Sequence, residues 1–335
     1  MIFRSGDIFM NIAVFEVSND ERQELETLSR SLPVSMNLVE KNLSLETLSL
    51  AEGAEGVSVL GRSRLDRPVL EGLKNLGVRY VSTRTIGVDH IDLAAARELG
   101  IRVAHAAYPP DAVADFTIML MLLVLRRYKP AMWRQNVNDY SLHGLMGRSL
   151  GRQTIGVVGT GSIGAAVIRD LAGFGCRILA YNLVECEELR SLATFVDLDT
   201  LYRESDIITF HVPFTPETRR MVNRESLARM KDGVILINTA RGELMDIDAI
   251  TEGIETEKIG SLAMDVFEHE QGIYHADRKT DILKNKDMVY LRQFPNVVLT
   301  QHMAFYTEES IVSMMDCGIQ RLLDMKEGRQ TRLEL

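Results

Sequence analysis

"TIGVVGTGSIG" runs from Thr154 to Gly164. "TIGVV" reads as a buried strand, and Gly159, Gly161 and Gly164 follow in the order G-x-G-x-x-G. "SIGAAVIRDLAGFG" then has a helical pattern with small residues toward the strand. A glycine triplet alone is a weak signal, but strand, glycines and helix together are informative. The first glycine permits a tight turn, the second lets backbone approach a pyrophosphate, and the third lets helix and sheet pack closely. Phosphates would sit on the helix N-terminus, where unpaired N–H groups and the helix dipole favour anions.

Such a turn is expected to be followed, about 20 residues on, by an acid for the cofactor ribose. Here "RILAYNLVE" (Arg177 to Glu185) places Asn182 in that slot. Asn182 can hydrogen-bond a ribose hydroxyl as a neutral group, without the stronger charge-assisted bond of a carboxylate. It also lacks the charge that repels a 2′-phosphate, yet Leu183, Val184 and Glu185 follow and no arginine stands at once beside it. The pattern favours NAD and leaves NADP open.

Outward from this motif, apolar β-rich runs alternate with helical patterns. Before it stand "NIAVFEV", "GVSVL", "RYVSTRT" and "IRVAHA", separated by helical segments. Asp66 can cap one of these helices and Gly77 can end it. After the motif come "RILAYN", "DIITFHVP", "VILINTA", "SLAMDVF" and "NVVLTQ". Strands separated by single helices imply parallel sheets with crossover helices. Two α/β units are therefore expected, the glycine turn opening the second. A long helix is expected from Pro109-Pro110 toward Asn136, and an amphipathic one near the C-terminus. The long polar connector from Glu270 to Pro295 reads as an ordered excursion near a site.

The chain has 335 residues, room for two ordinary domains, with 46% hydrophobic and 25% charged residues. A net charge of −9 argues against bulk attraction to nucleic acid or an anionic membrane. The start "MIFRSGDIFM" is too polar for a secretion signal. The longest apolar run, Phe116 to Leu125, is about half of a membrane span and reads as a buried helix. Cys176, Cys186 and Cys317 form no C-x-x-C pair. They point to neither a disulfide framework nor a zinc site, and a reducing cytoplasm is the simplest setting.

Ligands of doubly wound sheets sit at the carboxyl ends of the strands. In the second unit those ends carry Arg241, Asp265 followed by Glu270, and His302. Singly, each has a structural explanation; together they fit hydride chemistry on a 2-keto acid. The developing alkoxide needs a proton donor, which His supplies near neutral pH. A carboxylate keeps the imidazole charged and oriented. A guanidinium offers a planar fork to the substrate's carboxylate and keto oxygens.

The sequence resembles the D-isomer-specific 2-hydroxyacid dehydrogenases, and among them the D-lactate dehydrogenases of the vancomycin-resistance type. The resemblance rests on "STRTIGVDHID", "AYPPDAVADFTIMLML", "GVVGTGSIG", "HVPFTPETRRMVN", "LINTARGELMD", "AMDVFEHE" and "QHMAFYTEES", which span nearly the whole chain in order. It implies a Rossmann cofactor domain and a flavodoxin-like substrate domain, both doubly wound parallel sheets, with the active-site cleft between them. Residues 1–107 and 306–335 would form the substrate domain, and residues 108–305 the dinucleotide-binding domain. Arg241 would anchor substrate, His302 act as acid/base and Glu270 pair with it. Asp265 would tune His302 near the nicotinamide. Ile86 and Gly87 would offer N–H groups to the substrate carboxylate, Tyr108 would contact substrate, and Phe305 and Tyr306 would wall the pocket. On the cofactor side the resemblance assigns Gly159, Gly161, Ser162, Ile163, Gly164, Asn182, Val212, Pro213, Thr218, Thr239 and Ala240, together with Arg241 and Asp265. Members are usually dimers joined through the cofactor domains.

The departures are Asn182 for the acid, Gln301 where the family usually has proline, and Pro109 where D-lactate enzymes usually have serine. The expected reaction is reduction of a short 2-keto acid, pyruvate favoured. Hydroxypyruvate or glyoxylate reduction, and a dinucleotide-sensing interaction protein resembling the corepressor relatives, stay open beside it.

Overall fold

The computed structural model describes residues 9–335. The expectation about a secretion signal falls on the first residues and lies outside the described ones. The chain divides into two compact units: the described residues up to Pro109 with Tyr306–Leu335, and Pro110–Phe305. Tyr108 and Pro109 thus group with the first unit.

The first unit is a five-stranded parallel sheet of β1 (Met10–Val14), β2 (Val34–Leu38), β3 (Gly56–Val59), β4 (Tyr80–Thr83) and β5 (Arg102–His105). Its spatial order β2-β1-β3-β4-β5 is the flavodoxin-like doubly wound order. Helices α1 (Asn19–Ser31), α2 (Arg67–Asn75) and α3 (Leu93–Leu99) connect the strands. Asp66 caps α2 by accepting from the Val69 N–H at 3.3 Å, and Gly77 turns the chain at φ +91°. One sheet face packs Val57, Val59, Val81 and Val103 on Leu70 and Leu73 of α2. The opposite face packs Ile12 and Val14 on Met315, Ile319 and Leu322. Those three belong to the last helix of the chain. The C-terminal segment returns to this unit because the apolar face of β1 has to be covered.

The second unit contains α4 (Asp111–Leu125), α5 (Tyr128–Gln135), β6 (Thr154–Val158), α6 (Ser162–Ala172), β7 (Arg177–Tyr181), β8 (Thr194–Phe195), α7 (Leu198–Glu204) and β9 (Ile207–Phe210). It continues with α8 (Arg224–Arg229), β10 (Val234–Asn238), α9 (Ile247–Glu255), β11 (Ile259–Met264), α10 (Lys286–Leu291) and β12 (Val297–Leu299). The final helix, α11 (Glu308–Lys326), is the one that closes the first unit. The sheet order β12-β11-β10-β9-β6-β7-β8 is entirely parallel and reverses direction between β6 and β9. That is the Rossmann order with one strand added, and the reversal is where such sheets open a ligand crevice.

The long helix expected from Pro109-Pro110 toward Asn136 is instead two helices. Arg127 adopts φ +49° after α4, and α5 starts at Tyr128. A left-handed residue ends the α-helical hydrogen-bond ladder, so the apolar and polar halves of the segment separate. α4 buries residues on most of its circumference, among them Ala114, Thr117, Leu120, Met121 and Leu125. Among the described residues no helix is long and apolar enough to cross a membrane.

Candidate active site

The glycine turn follows β6 as its residue types require. Gly159 takes φ +93°, and a Cβ there would lie 2.6 Å from the His211 carbonyl oxygen. At Gly164 a Cβ would lie 1.9 Å from the Gly159 carbonyl oxygen, so only hydrogen lets α6 pack this closely. A Cβ at Gly161 would meet nothing within 4 Å. Gly161 is the N-cap of α6, so open space stands before the first-turn amides of Ser162, Ile163 and Gly164. The Thr160 hydroxyl in the same turn is buried without a hydrogen-bond partner. Open approach, free helix donors and an orphaned hydroxyl fit a pyrophosphate.

Asn182 follows the end of β7, and its side-chain N–H donates to the Val184 carbonyl at 2.8 Å. Arg190, the cation of the following turn, is paired with Glu185 and Glu187. Across the switch point, Val212 and Pro213 follow β9. Thr218 knots this segment by donating to the Pro213 carbonyl at 2.7 Å and accepting from the Thr215 N–H at 2.8 Å. His211, which sequence reasoning passed over, lies beneath the glycine turn. Desolvation lowers its pKa to about 3, so its imidazole is neutral and bonds the Thr209 hydroxyl at 2.9 Å.

At the end of β10, Asn238 ties the turn that presents Arg241. Its side chain accepts from the Ala240 N–H at 3.0 Å and donates to the Arg241 carbonyl at 2.8 Å. Thr239 bonds the Thr117 hydroxyl of α4 at 3.0 Å, while Thr117 donates to the Val113 carbonyl. Gly242 allows the next segment to cross closely, since a Cβ would lie 2.2 Å from the Glu268 nitrogen. Asn238 was visible as a polar residue closing an apolar strand, but its bonds depend on the turn it shapes.

Asp265, at the end of β11, is fully buried. Its carboxylate accepts from the Thr300 hydroxyl at 2.5 Å, the Met303 N–H at 2.9 Å and the Ala304 N–H at 2.8 Å. Its backbone carbonyl accepts from the His302 N–H at 2.7 Å. Asp265 was expected to tune His302 near the nicotinamide. Its carboxylate organises the turn that carries His302. That turn holds His302 at φ +55°, a conformation that costs on the order of 1–3 kcal/mol and persists only when surrounding bonds enforce it.

His302 Nδ1 lies 2.5 Å from Glu270 Oε1. A carboxylate only accepts, so Nδ1 carries the proton. The other Glu270 oxygen accepts from the Phe267 N–H at 2.7 Å, which fixes the carboxylate from behind. The polar connector after Glu270 returns His275, whose Nε2 reaches the His302 carbonyl at 3.1 Å. The rings of His275, His302 and Phe305 stand 6.1 to 6.4 Å apart. Arg241, Asp265, Glu270, His302 and Phe305 thus all lie in the second unit, on segments that leave the carboxyl ends of neighbouring strands.

The remaining expected residues belong to the first unit. Ile86 and Gly87 follow β4, and Tyr108 follows β5. Tyr306 donates its hydroxyl hydrogen to Asp20 at the start of α1, and that bond raises the Tyr306 pKa.

A doubly wound parallel sheet with a glycine turn at its switch point, and a carboxylate-backed imidazole at its edge, define the class of nucleotide-dependent oxidoreductases. Residues 118–304 match the family model "D-isomer specific 2-hydroxyacid dehydrogenase, NAD binding domain". An aromatic 2-oxoacid reductase of Clostridium sporogenes is 38% identical over 95% of this chain and 96% of its own length. The D-lactate dehydrogenase of Escherichia coli is 37% identical over 97% of this chain and 100% of its own. The apo-structure of a D-lactate dehydrogenase from Escherichia coli superposes with a TM-score of 0.86 at 36% identity, covering 97% and 100% of the two chains. The chain belongs to the D-isomer-specific 2-hydroxyacid dehydrogenase family. It is an NAD-dependent oxidoreductase that reduces 2-keto acids to D-2-hydroxy acids.

Proposed function

We propose that the enzyme reduces a short 2-keto acid, pyruvate first, with His302 as acid/base, Glu270 as its partner and Arg241 as the substrate anchor. The observation that supports this most is the Glu270–His302 bond of 2.5 Å, with the far side of Glu270 held by the Phe267 N–H. When bound, the nicotinamide supplies the hydride. Glu270 holds Nδ1–H and stabilises the imidazolium, so Nε2 is the atom that gives its proton to the developing alkoxide. Arg241 orients the acid by its two-pronged guanidinium, and the N–H groups at Ile86 and Gly87 take its carboxylate. Tyr108, Phe305 and Tyr306 shape the surroundings of the substrate. The glycine turn, Asn182, Val212, Pro213, Thr218, Thr239 and Ala240 serve the nucleotide. The pairing of Arg190 with Glu185 and Glu187 leaves no uncompensated cation in that turn for a 2′-phosphate, which favours NAD over NADP.

An aromatic 2-keto acid is the competing substrate, supported by the Clostridium relative and by the Phe305 and His275 rings beside His302. Oxidation of NADH and NADPH should be followed with pyruvate, 2-ketobutyrate, hydroxypyruvate, glyoxylate and phenylpyruvate. Turnover with pyruvate and NADH is expected; no turnover with any acid and either nucleotide rejects the proposal. Arg241→Lys should lower kcat/KM on the order of 10²-fold, because a point charge cannot replace a planar fork.

The proposed assembly is a homodimer joined through the second unit. Trp133 on α5 and Val137, Tyr140, Leu142 and Met146 after it are exposed, the last three at 72%, 83% and 88%. Lys129 anchors α5 rigidly by donating to the carbonyls of Arg292, Phe294 and Val297. Exposed apolar groups gathered in one short stretch of chain beside a fixed helix mark an interaction surface. Light scattering should report a dimer, and a double Leu142→Asp, Met146→Asp variant a monomer; a dimer that survives both charges assigns the interface elsewhere. The proposed setting is a reducing cytoplasm, the simplest one for three cysteines without a C-x-x-C pair.

A further inference from the structure

We infer that Thr83, Thr85 and His90 form a hydrogen-bond relay that sets the two backbone donors of the Ile86–Gly87 turn, making all three positioning residues for the substrate carboxylate. The inference rests on the proposed role of that turn. Thr85 Oγ1 donates to the Gly87 carbonyl at 2.6 Å, which uses its only hydrogen. The 2.6 Å bond between Thr83 and Thr85 must therefore run from the Thr83 hydroxyl to Thr85. Thr83 has then given its own hydrogen, so the 3.1 Å contact with His90 Nε2 runs from His90 to Thr83. The direction is forced along the whole chain: His90 Nε2–H, Thr83, Thr85, Gly87 carbonyl. It also fixes the proton of His90 on Nε2.

This relay acts on the right atoms. The Thr85–Gly87 bond closes a small ring over residues 85–87, and the two peptide groups inside that ring carry the N–H groups of Ile86 and Gly87. Among the described residues neither N–H has a hydrogen-bond partner, although both residues are half-buried. Half-buried donors without partners are costly unless something fills them. The base of the turn is equally fixed. The Ala106 N–H donates to the Thr83 and Thr85 carbonyls at 2.8 and 3.2 Å. Arg84, fully buried, bonds Glu21 at 3.2 Å, the Ser58 hydroxyl at 3.1 Å and the Phe15 carbonyl at 2.9 Å. Arg84 holds the strand end, and the threonine relay holds the turn.

Amides that grip the carboxylate do so alike in the ground and transition states, so their misplacement raises KM and spares kcat. Thr85→Val keeps the shape and removes the central link. With the 2-keto acid of highest turnover, it should raise KM about tenfold, with kcat within about twofold and NADH affinity by fluorescence titration unchanged. Inhibition by oxamate should weaken in parallel. Thr85→Ser should restore wild-type KM, and His90→Phe, which removes the head of the relay, should raise KM above wild type. If Thr85→Val lowers the melting temperature enough to disturb folding, the comparison of Thr85→Ser with His90→Phe decides. A wild-type KM in Thr85→Val, or in His90→Phe, overturns the relay while leaving the proposed activity standing. An absence of turnover in the wild type overturns that activity and the relay with it.

Discussion

His302→Ala is expected to lower kcat for NADH-linked reduction by about 10²- to 10⁴-fold while NADH affinity stays near wild type. The imidazole sits on the turn after β12, and the glycine turn follows β6, with β11, β10 and β9 between the two strands in the sheet. Removing the ring leaves Glu270 held by the Phe267 N–H, so the surrounding backbone keeps its support. The turn itself is held by backbone and carboxylate bonds to Asp265 that do not involve the imidazole. Stopped-flow reduction and fluorescence titration of NADH separate the two quantities. A variant that still reduces the substrate within a few-fold of wild type removes His302 from the reaction.

Gly164→Ala should impair both stability and nucleotide binding, and Gly161→Ala only the latter. The added methyl at residue 164 would lie 1.9 Å from a backbone oxygen, which no rotamer can relieve, and 3.4 Å from the His211 Cβ. Overpacking of this kind costs about 1–3 kcal/mol. For a unit of this size that is a fall in melting temperature of about 2–12 °C. Displacement of α6 would also move its first-turn amides away from the pyrophosphate. At Gly161 a methyl meets open space in the protein and has an ordinary φ of −66°, so the melting temperature should hold. NADH affinity should nevertheless fall, because the methyl occupies the space that the cofactor backbone needs. Equal melting temperatures for the two variants would contradict the packing role of Gly164.

Most of the strands were open to reading because parallel strands buried on both faces produce short apolar runs, and crossover helices separate them. β2 and β8 escaped for the opposite reason. β2 is an edge strand with alternating exposure, and β8 has only two residues, so neither makes an apolar run. The division of residues 110–136 into α4 and α5 was hidden as well. A left-handed arginine at residue 127 obeys no local composition rule; it follows from packing α4 while Lys129 of α5 binds three carbonyls near β12.

The sequence alone determined the doubly wound class, the glycine turn at residues 159–164, and the polar residues standing at strand ends. These are local properties: side-chain period, backbone freedom, and residue type next to an apolar run. Only the tertiary structure decided what the polar residues do to one another. It made Asp265, expected to tune His302, the clamp of the His302 turn, put Asn238 behind Arg241, and joined His90 through two threonines to Gly87. Such bonds join atoms whose separation is set by chain crossings and strand register, and those distances exist only once the sheets have formed.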